Sequence, residues 1–197
     1  MITNRYYKLF KPFGMLSQFT REHDHPVLGD LYKFPKDVYP VGRLDTDSEG
    51  LLLLTNDKSI NDLLLNPSRK HKRIYFSQVE GAITDEALSQ LESGLPIRVN
   101  GKDHFARAEK ATVAVQPDWV PERDPPIRYR KSIPESWVEI ILTEGKNRQV
   151  RKMTAAAGFP TLRLIRWSIE NIRLDRMKPG EVVEIARNDF YHDLGLK

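Results

Sequence analysis

GRLDTDSEGLLLLTND, residues 42–57, packs three acids (Asp45, Asp47 and Glu49) around two glycines and a threonine, then runs directly into four leucines. The second half of this stretch predicts structure first. Leu51 to Thr55 is a short, continuous apolar run, the pattern of a strand buried on both faces, although periodicity alone does not separate it from a helix segment. The acids ahead of it need a use. Asp45-Thr46-Asp47-Ser48-Glu49-Gly50 imitates the opening of a calcium loop, with oxygens at alternate positions and the turn glycine. The rest of the stretch argues against calcium: the ninth position is Leu53 and the twelfth is Asn56, where that loop needs a water-linked oxygen and a bidentate Glu. Pro40 and Gly42 leave no room for an incoming helix.

Composition narrows the partner. The chain has 197 residues, 40% hydrophobic and 29% charged, which suits one sizeable core or one domain of two lobes. No apolar run approaches the roughly 20 residues of a membrane helix, and the start, MITNRYYKLFKPFG, lacks a signal peptide's apolar centre, so a cytoplasmic protein without a membrane partner is expected. With no cysteine, disulfides, thiolate zinc sites and cysteine nucleophiles are excluded. A net charge of +4 is by itself a weak pointer to an anion. Clustering says more: Arg69 to Arg73, Arg128 to Lys131, and the series Lys146, Arg148, Arg151, Lys152, Arg163 and Arg166 point to a polyphosphate.

Around the opening stretch, Tyr6 to Phe10 predicts a strand stopped by the turn Lys11-Pro12-Phe13-Gly14. His23, Asp24 and His25 read as a polar loop, since adjacent ligands with no distant third partner make a poor metal site. Ser59 is expected to cap a helix with Asp62 at its third position and Leu63 to Leu65 as its buried stripe, ended by Asn66-Pro67. Ile74 to Glu80 alternates as a strand, and Thr84 caps a helix that stops at Gly94. Further strands are predicted at 110–115, 137–143, 161–169 and 182–185. Residues 116–134 hold five prolines and predict a long loop. The fold class expected is α+β, a mixed and mainly antiparallel sheet with flanking helices.

A second chemical cluster lies in TEGKNRQVRKMTAAAGFP, residues 143–160. Val150, Met153, Thr154 and Ala157 fall at helical spacing, with Gly158 and Pro160 to end the helix. Arg148, Arg151 and Lys152 stand at i, i+3 and i+4, on one side of its first turns. Cations there oppose the helix dipole, so an anion must offset them: a protein carboxylate, a nucleic-acid phosphate, or both. One carboxylate of the acid turn held ionised by one arginine would couple the two clusters. An ordinary salt bridge joining two parts of a core is the alternative.

GRLDTDSEGLLLLTND, KRIYFSQVEG and EGKNRQVRKM, followed by LRLIRWSI and KPGEVVEI, together resemble the RsuA-type pseudouridine synthases, in order over nearly the whole chain. The resemblance is nearest to the RluE subgroup, which acts on large-subunit ribosomal RNA and lacks the N-terminal S4 domain of most relatives. It implies the family's catalytic fold: one domain with two lobes, about 1–66 and 67–197, around a central cleft. It also implies the activity, which is to cut a uridine's base from the sugar at N1, turn it, and rejoin it through C5. Asp45 matches the catalytic aspartate, Tyr75 the aromatic placed against the target base, and Arg151 the arginine paired with the aspartate. Arg43 matches the arginine of the turn, which would help fill the space left by the flipped base, and Leu164 matches a pocket residue. Whether the aspartate attacks C1′ or removes a sugar proton stays open. Lys70, Lys72, Arg73, Arg128, Arg130, Lys146, Arg148, Lys152 and Arg166 are expected to contact RNA. No metal and no cofactor is implied; the partner is ribosomal RNA or an assembly intermediate, and the protein a monomer. The rival functions are a nonenzymatic RNA-binding or ribosome assembly factor, which shares every basic patch, and a metal-dependent phosphoryl-transfer enzyme built on Asp45 and Asp47.

Overall fold

The computed structural model describes residues 4–127 and 133–196. In chain order its elements are β1 (Tyr6–Lys11), β2 (Tyr39–Pro40), β3 (Glu49–Thr55), α1 (Ser59–Leu65), β4 (Arg73–Glu80), α2 (Asp85–Ser93), β5 (Leu95–Val99), β6 (Lys102–Ala106), β7 (Lys110–Ala114), β8 (Glu135–Leu142), α3 (Gln149–Ala156), β9 (Thr161–Ile169), β10 (Ile172–Arg173), β11 (Val182–Ile185) and α4 (Arg187–Asp193). The class is the α+β one expected, with a mainly antiparallel sheet. The chain forms two compact units, Met1–His71 with Arg166–Lys197, and Lys72–Ile165.

In the first unit, β1 runs antiparallel to β3 and to β11, with Leu9 opposite both Leu52 and Val182. The end of β9 is the other neighbour of β3. A strand paired on both edges and covered on both faces explains why all seven residues of β3 are buried and why four consecutive leucines suit it. Leu52 and Leu54 pack with Tyr7, Leu9, Met15, Leu28 and Val38. On the other side of β1, the Tyr6 ring lies 4.7 Å from Phe190 of α4.

The second unit orders its strands as the start of β9, then β4, β8 and β7, with β4–β8 and β7–β8 antiparallel. Tyr75, Val79, Val138, Ile140 and Leu164 from the strands meet Leu88 and Leu91 of α2 and Val150 and Met153 of α3 in one core. β5 and β6 form a separate hairpin. Its turn residues Asn100 and Gly101 have φ of 49° and 78°, the pair of positive angles that favours Asn-Gly in a two-residue hairpin loop.

Several expectations change. The segment 166–197, assigned from the sequence to the second lobe, belongs to the first unit, because β11 pairs with β1. Ser59 is the first residue of α1 and not its cap: the Asp57 carboxylate accepts from Ser59 N at 3.1 Å and Ser59 Oγ at 2.7 Å. The helix buries Ile60 and Leu64, whereas Leu65 is exposed. Arg148 lies outside α3, in the left-handed region at φ 54°, and so does not share a helical face with Arg151 and Lys152. The proline-rich stretch is without regular structure where described, but it is not loose. Val120 is buried, Trp119 meets Phe76 edge-on at 5.6 Å, and Arg163 donates to Pro121 O at 2.8 Å.

Candidate active site

The acid turn is held by backbone contacts on both sides of Asp45. Before it, Ser17 Oγ accepts from Leu44 N at 3.0 Å and donates to Leu44 O at 2.8 Å. After it, Thr46 O accepts from Gly14 N at 2.8 Å, and Ser48 N donates to Asp45 O at 3.0 Å to close the turn. Lys11 Nζ donates to Pro12 O at 2.9 Å and lies 3.5 Å from Thr46 O. These partners fix the peptide units around Asp45, whose side chain is half-buried.

Two glycines make the turn possible. Gly42 has φ 72°, and at Gly50 φ is 112° with the Arg166 backbone so close that a Cβ would lie 2.3 Å from Arg166 O. Any other residue at 50 would have to push two strands apart.

Lys11 is the feature that sequence reasoning missed. It is fully buried, and burial pushes its ammonium down to about 7, against the pull of Glu49, Asp47 and Asp45, which favours the charged form. Read along the chain, a lysine beside Pro-Phe-Gly is a turn cation facing solvent. Only the pairing of β1 with β3, Lys11 opposite Gly50, brings it under the acid turn.

Of the other residues expected from the sequence, Arg43 is exposed in the same unit and reaches Gln18 Oε1 at 3.3 Å. Arg166 is not at the surface: it is 6% exposed, and its Nε donates to Leu51 O at 2.8 Å. Lys70 is exposed, in the left-handed conformation that ends the short 3-10 turn Pro67–Arg69. His71 is buried between Leu63 O at 2.8 Å and Glu170 at 2.9 Å, so the middle of that basic cluster belongs to the core.

The second unit gathers Tyr75, Arg151 and Leu164. Tyr75 stands on β4 opposite Ile140, 8% exposed, in the core that also holds Leu164. Arg151, on α3 between core residues Val150 and Met153, donates from Nη1 to Thr161 O at 3.3 Å. Thr161 is fixed in turn, its hydroxyl 2.7 Å from Thr154 Oγ1 and 3.0 Å from Ser77 Oγ. Helix and strand are thus stitched together at the arginine and, one turn later, at Thr154. Among the basic residues here, Arg73 is buried at the start of β4, Lys72 is exposed but ion-paired to Glu109, Lys152 is half-buried, and Lys146 and Arg148 are exposed. Arg128 and Arg130 lie outside the described residues. Among the described residues, no three His, Asp or Glu side chains are grouped to hold a metal ion, and no helix is long and apolar enough to cross a membrane.

The family model for RNA pseudouridylate synthase matches residues 5–156, from β1 to the end of α3. The chain belongs to the RNA pseudouridylate synthase family. It is similar to the ribosomal large subunit pseudouridine synthase E of Xanthomonas axonopodis pv. citri, 46% identical over 173 residues that cover 87% of this chain and 88% of that protein. The protein of that name from Vibrio vulnificus is 44% identical over 177 residues, 89% of this chain and 73% of that one. A crystal structure of a pseudouridylate synthase superposes with a TM-score of 0.76 at 21% identity, covering 98% of this chain and 75% of that one, a likeness of fold. Asp45, Tyr75 and Arg151 all fall within the segment that the family model spans.

Proposed function

We propose that this chain converts one uridine of large-subunit ribosomal RNA to pseudouridine, with Asp45 as the reacting carboxylate. The observation that carries the reading is the acid turn: an aspartate whose flanking backbone is pinned by Ser17, Gly14 and Lys11, inside the segment matched by the synthase family. The relatives named for the large subunit support that choice of RNA.

In this reaction the N1–C1′ bond breaks, the uracil turns, a C5–C1′ bond forms, the C5 proton leaves and N1 takes up a proton. The sum of atoms is unchanged, so no oxidant or second substrate is required. A stacked base is out of reach of a side chain, so the nucleotide must leave its stack, and Tyr75 offers the uracil a ring to lie against. Asp45 acts ionised, and the family resemblance gives Arg151 the role of the cation that favours that form. Lys70, Lys146 and Arg148 are exposed cations suited to the phosphates around the target. Arg73 and Arg166, both buried, fit a role in holding strands better than one in gripping RNA.

Tritium release from ribosomal RNA labelled at uracil C5 tests the reading, with native protein and Asp45→Asn compared in excess chelator. Release by the native protein and a loss of roughly 10³-fold or more in the variant are expected, with fold and RNA binding retained. No release from naked RNA or from immature particles would favour the RNA-binding factor. Release that needs added divalent metal would favour metal-assisted chemistry.

A further inference from the structure

The loop that leads into α3 is closed by one side chain that the proposed chemistry does not use. Gln149, 3% exposed, turns both ends of its amide back toward the preceding residues. Its Oε1 accepts from Lys146 N at 2.9 Å, and its Nε2 donates to Glu144 Oε1 at 2.6 Å. Its own backbone N donates to Lys146 O at 3.1 Å. The same Glu144 oxygen accepts from His104 Nε2 at 3.0 Å, which ties in the β5–β6 hairpin. A carboxylate has no proton to give, so the imidazole must be the donor.

This arrangement replaces an ordinary helix cap. Arg148, at the cap position, is in the left-handed region and makes no capping bond with its side chain. Helices normally begin with a Ser, Thr, Asp or Asn oxygen on the first free amides. Here the first helical residue instead turns its amide back onto the loop, bonding Lys146 N and Glu144 ahead of the helix. Arg151 follows two residues later on that turn.

We propose that Gln149, gripped by Glu144, which His104 also holds, is a positioning residue that sets the direction in which α3 presents Arg151. The proposal rests on the uridine-isomerising reading, because Arg151 matters to turnover only there. A neutral amide between a carboxylate and a backbone N–H has a polarity that can be reversed. Gln149→Glu still accepts from Lys146 N but sets a carboxylate against that of Glu144, so the loop is pushed open. Glu144→Gln alone keeps a carbonyl for His104 and for Gln149. Combining the two restores a complementary set: the amide of residue 144 donates to the carboxylate of residue 149, and His104 donates to the carbonyl at 144.

The four proteins (native, Gln149→Glu, Glu144→Gln and the double variant) are compared for C5 tritium release under single turnover, RNA affinity and thermal melting. A displacement of about 1 Å in a group aligned for reaction costs on the order of 10²-fold. Gln149→Glu is therefore expected to lose about 10- to 100-fold in the rate of the bound complex with RNA affinity within about threefold of native. Glu144→Gln should change little, and the double variant should return to within about threefold of the native rate. A native-like rate in Gln149→Glu overturns the proposal, as does a double variant that melts like native and stays slow. Should Gln149→Glu fail to fold, the double variant decides alone, by the same criterion. Native protein that releases no tritium refutes the function, a result separate from any difference among the variants.

Discussion

The acid turn and the loop into α3 are both short, glycine-containing entries to a regular element, yet they are held by opposite means. Beyond the bond from Ser48 N to Asp45 O that closes it, the acid turn takes its restraints from far along the chain, Ser17, Gly14 and Lys11, and receives them on the backbone. The basic loop is held by its own neighbours, Glu144, Lys146 and Gln149, with His104 as a distant contributor. A carboxylate proposed to react needs an immobile backbone under it, which distant backbone clamps supply. A cation that only has to point needs a well-directed helix, and a local clamp suffices. The first arrangement is hidden in a sequence and the second is written in it.

Glycine substitutions give the sharpest contrast. Gly50→Ala must place a Cβ 2.3 Å from the Arg166 carbonyl at φ 112°. A loss of about 3 kcal/mol is expected in urea unfolding, from overpacking together with backbone strain. Gly145→Ala, in the basic loop, meets nothing within 4 Å. A change within about 0.5 kcal/mol is expected there, and a large loss would break the view that this loop has room to spare.

Between these lies a pH effect confined to the acid turn. Burial lowers Lys11 from 10.5 to about 7. Above pH 7 the unfolded chain therefore holds more protons at this residue than the folded one, so its contribution makes stability rise with pH between about 7 and 10.5. Below 7 the lysine is charged in both states and the slope vanishes. Lys11→Met should flatten this rise in unfolding curves taken at pH 7 and pH 9.5. Parallel curves for the two proteins would mean that Lys11 stays protonated in its buried position.

Much of the fold was legible because its signals are local. Four consecutive leucines marked β3, Thr84 accepts from Ala87 N as a cap should, and β9 and β11 carry the bounds expected. The hairpin at 95–106 escaped because its outward face bears Pro96, Arg98 and Phe105 and it buries only Ile97 and Ala106, too few for alternation to show despite Asn100-Gly101. The helix α4 buries Phe190 alone and shows no stripe. Of the residues proposed for the chemistry, Asp45, Tyr75 and Arg151 came from motif resemblance. Lys11 and Ser17 could not, since what places them is a strand pairing and a contact across 27 residues. Gln149 was in plain view within the basic motif, but an amide among arginines carries no charge to draw notice.

The strand β9 starts in one compact unit and ends in the other, and the chain between His71 and Arg166 forms the second unit by itself. During synthesis the ribosome therefore delivers an interrupted unit, then a whole one, then the remainder. The middle section can bury its core once Ile165 has emerged, whereas β1 waits for β11, some 175 residues downstream, with only β3 beside it. Closing so long a loop is slow when the partner must be found across an open chain, and faster when the intervening residues are already compact. Folding of this chain thus proceeds from the middle unit outward, and β1 keeps an edge open until β11 has emerged.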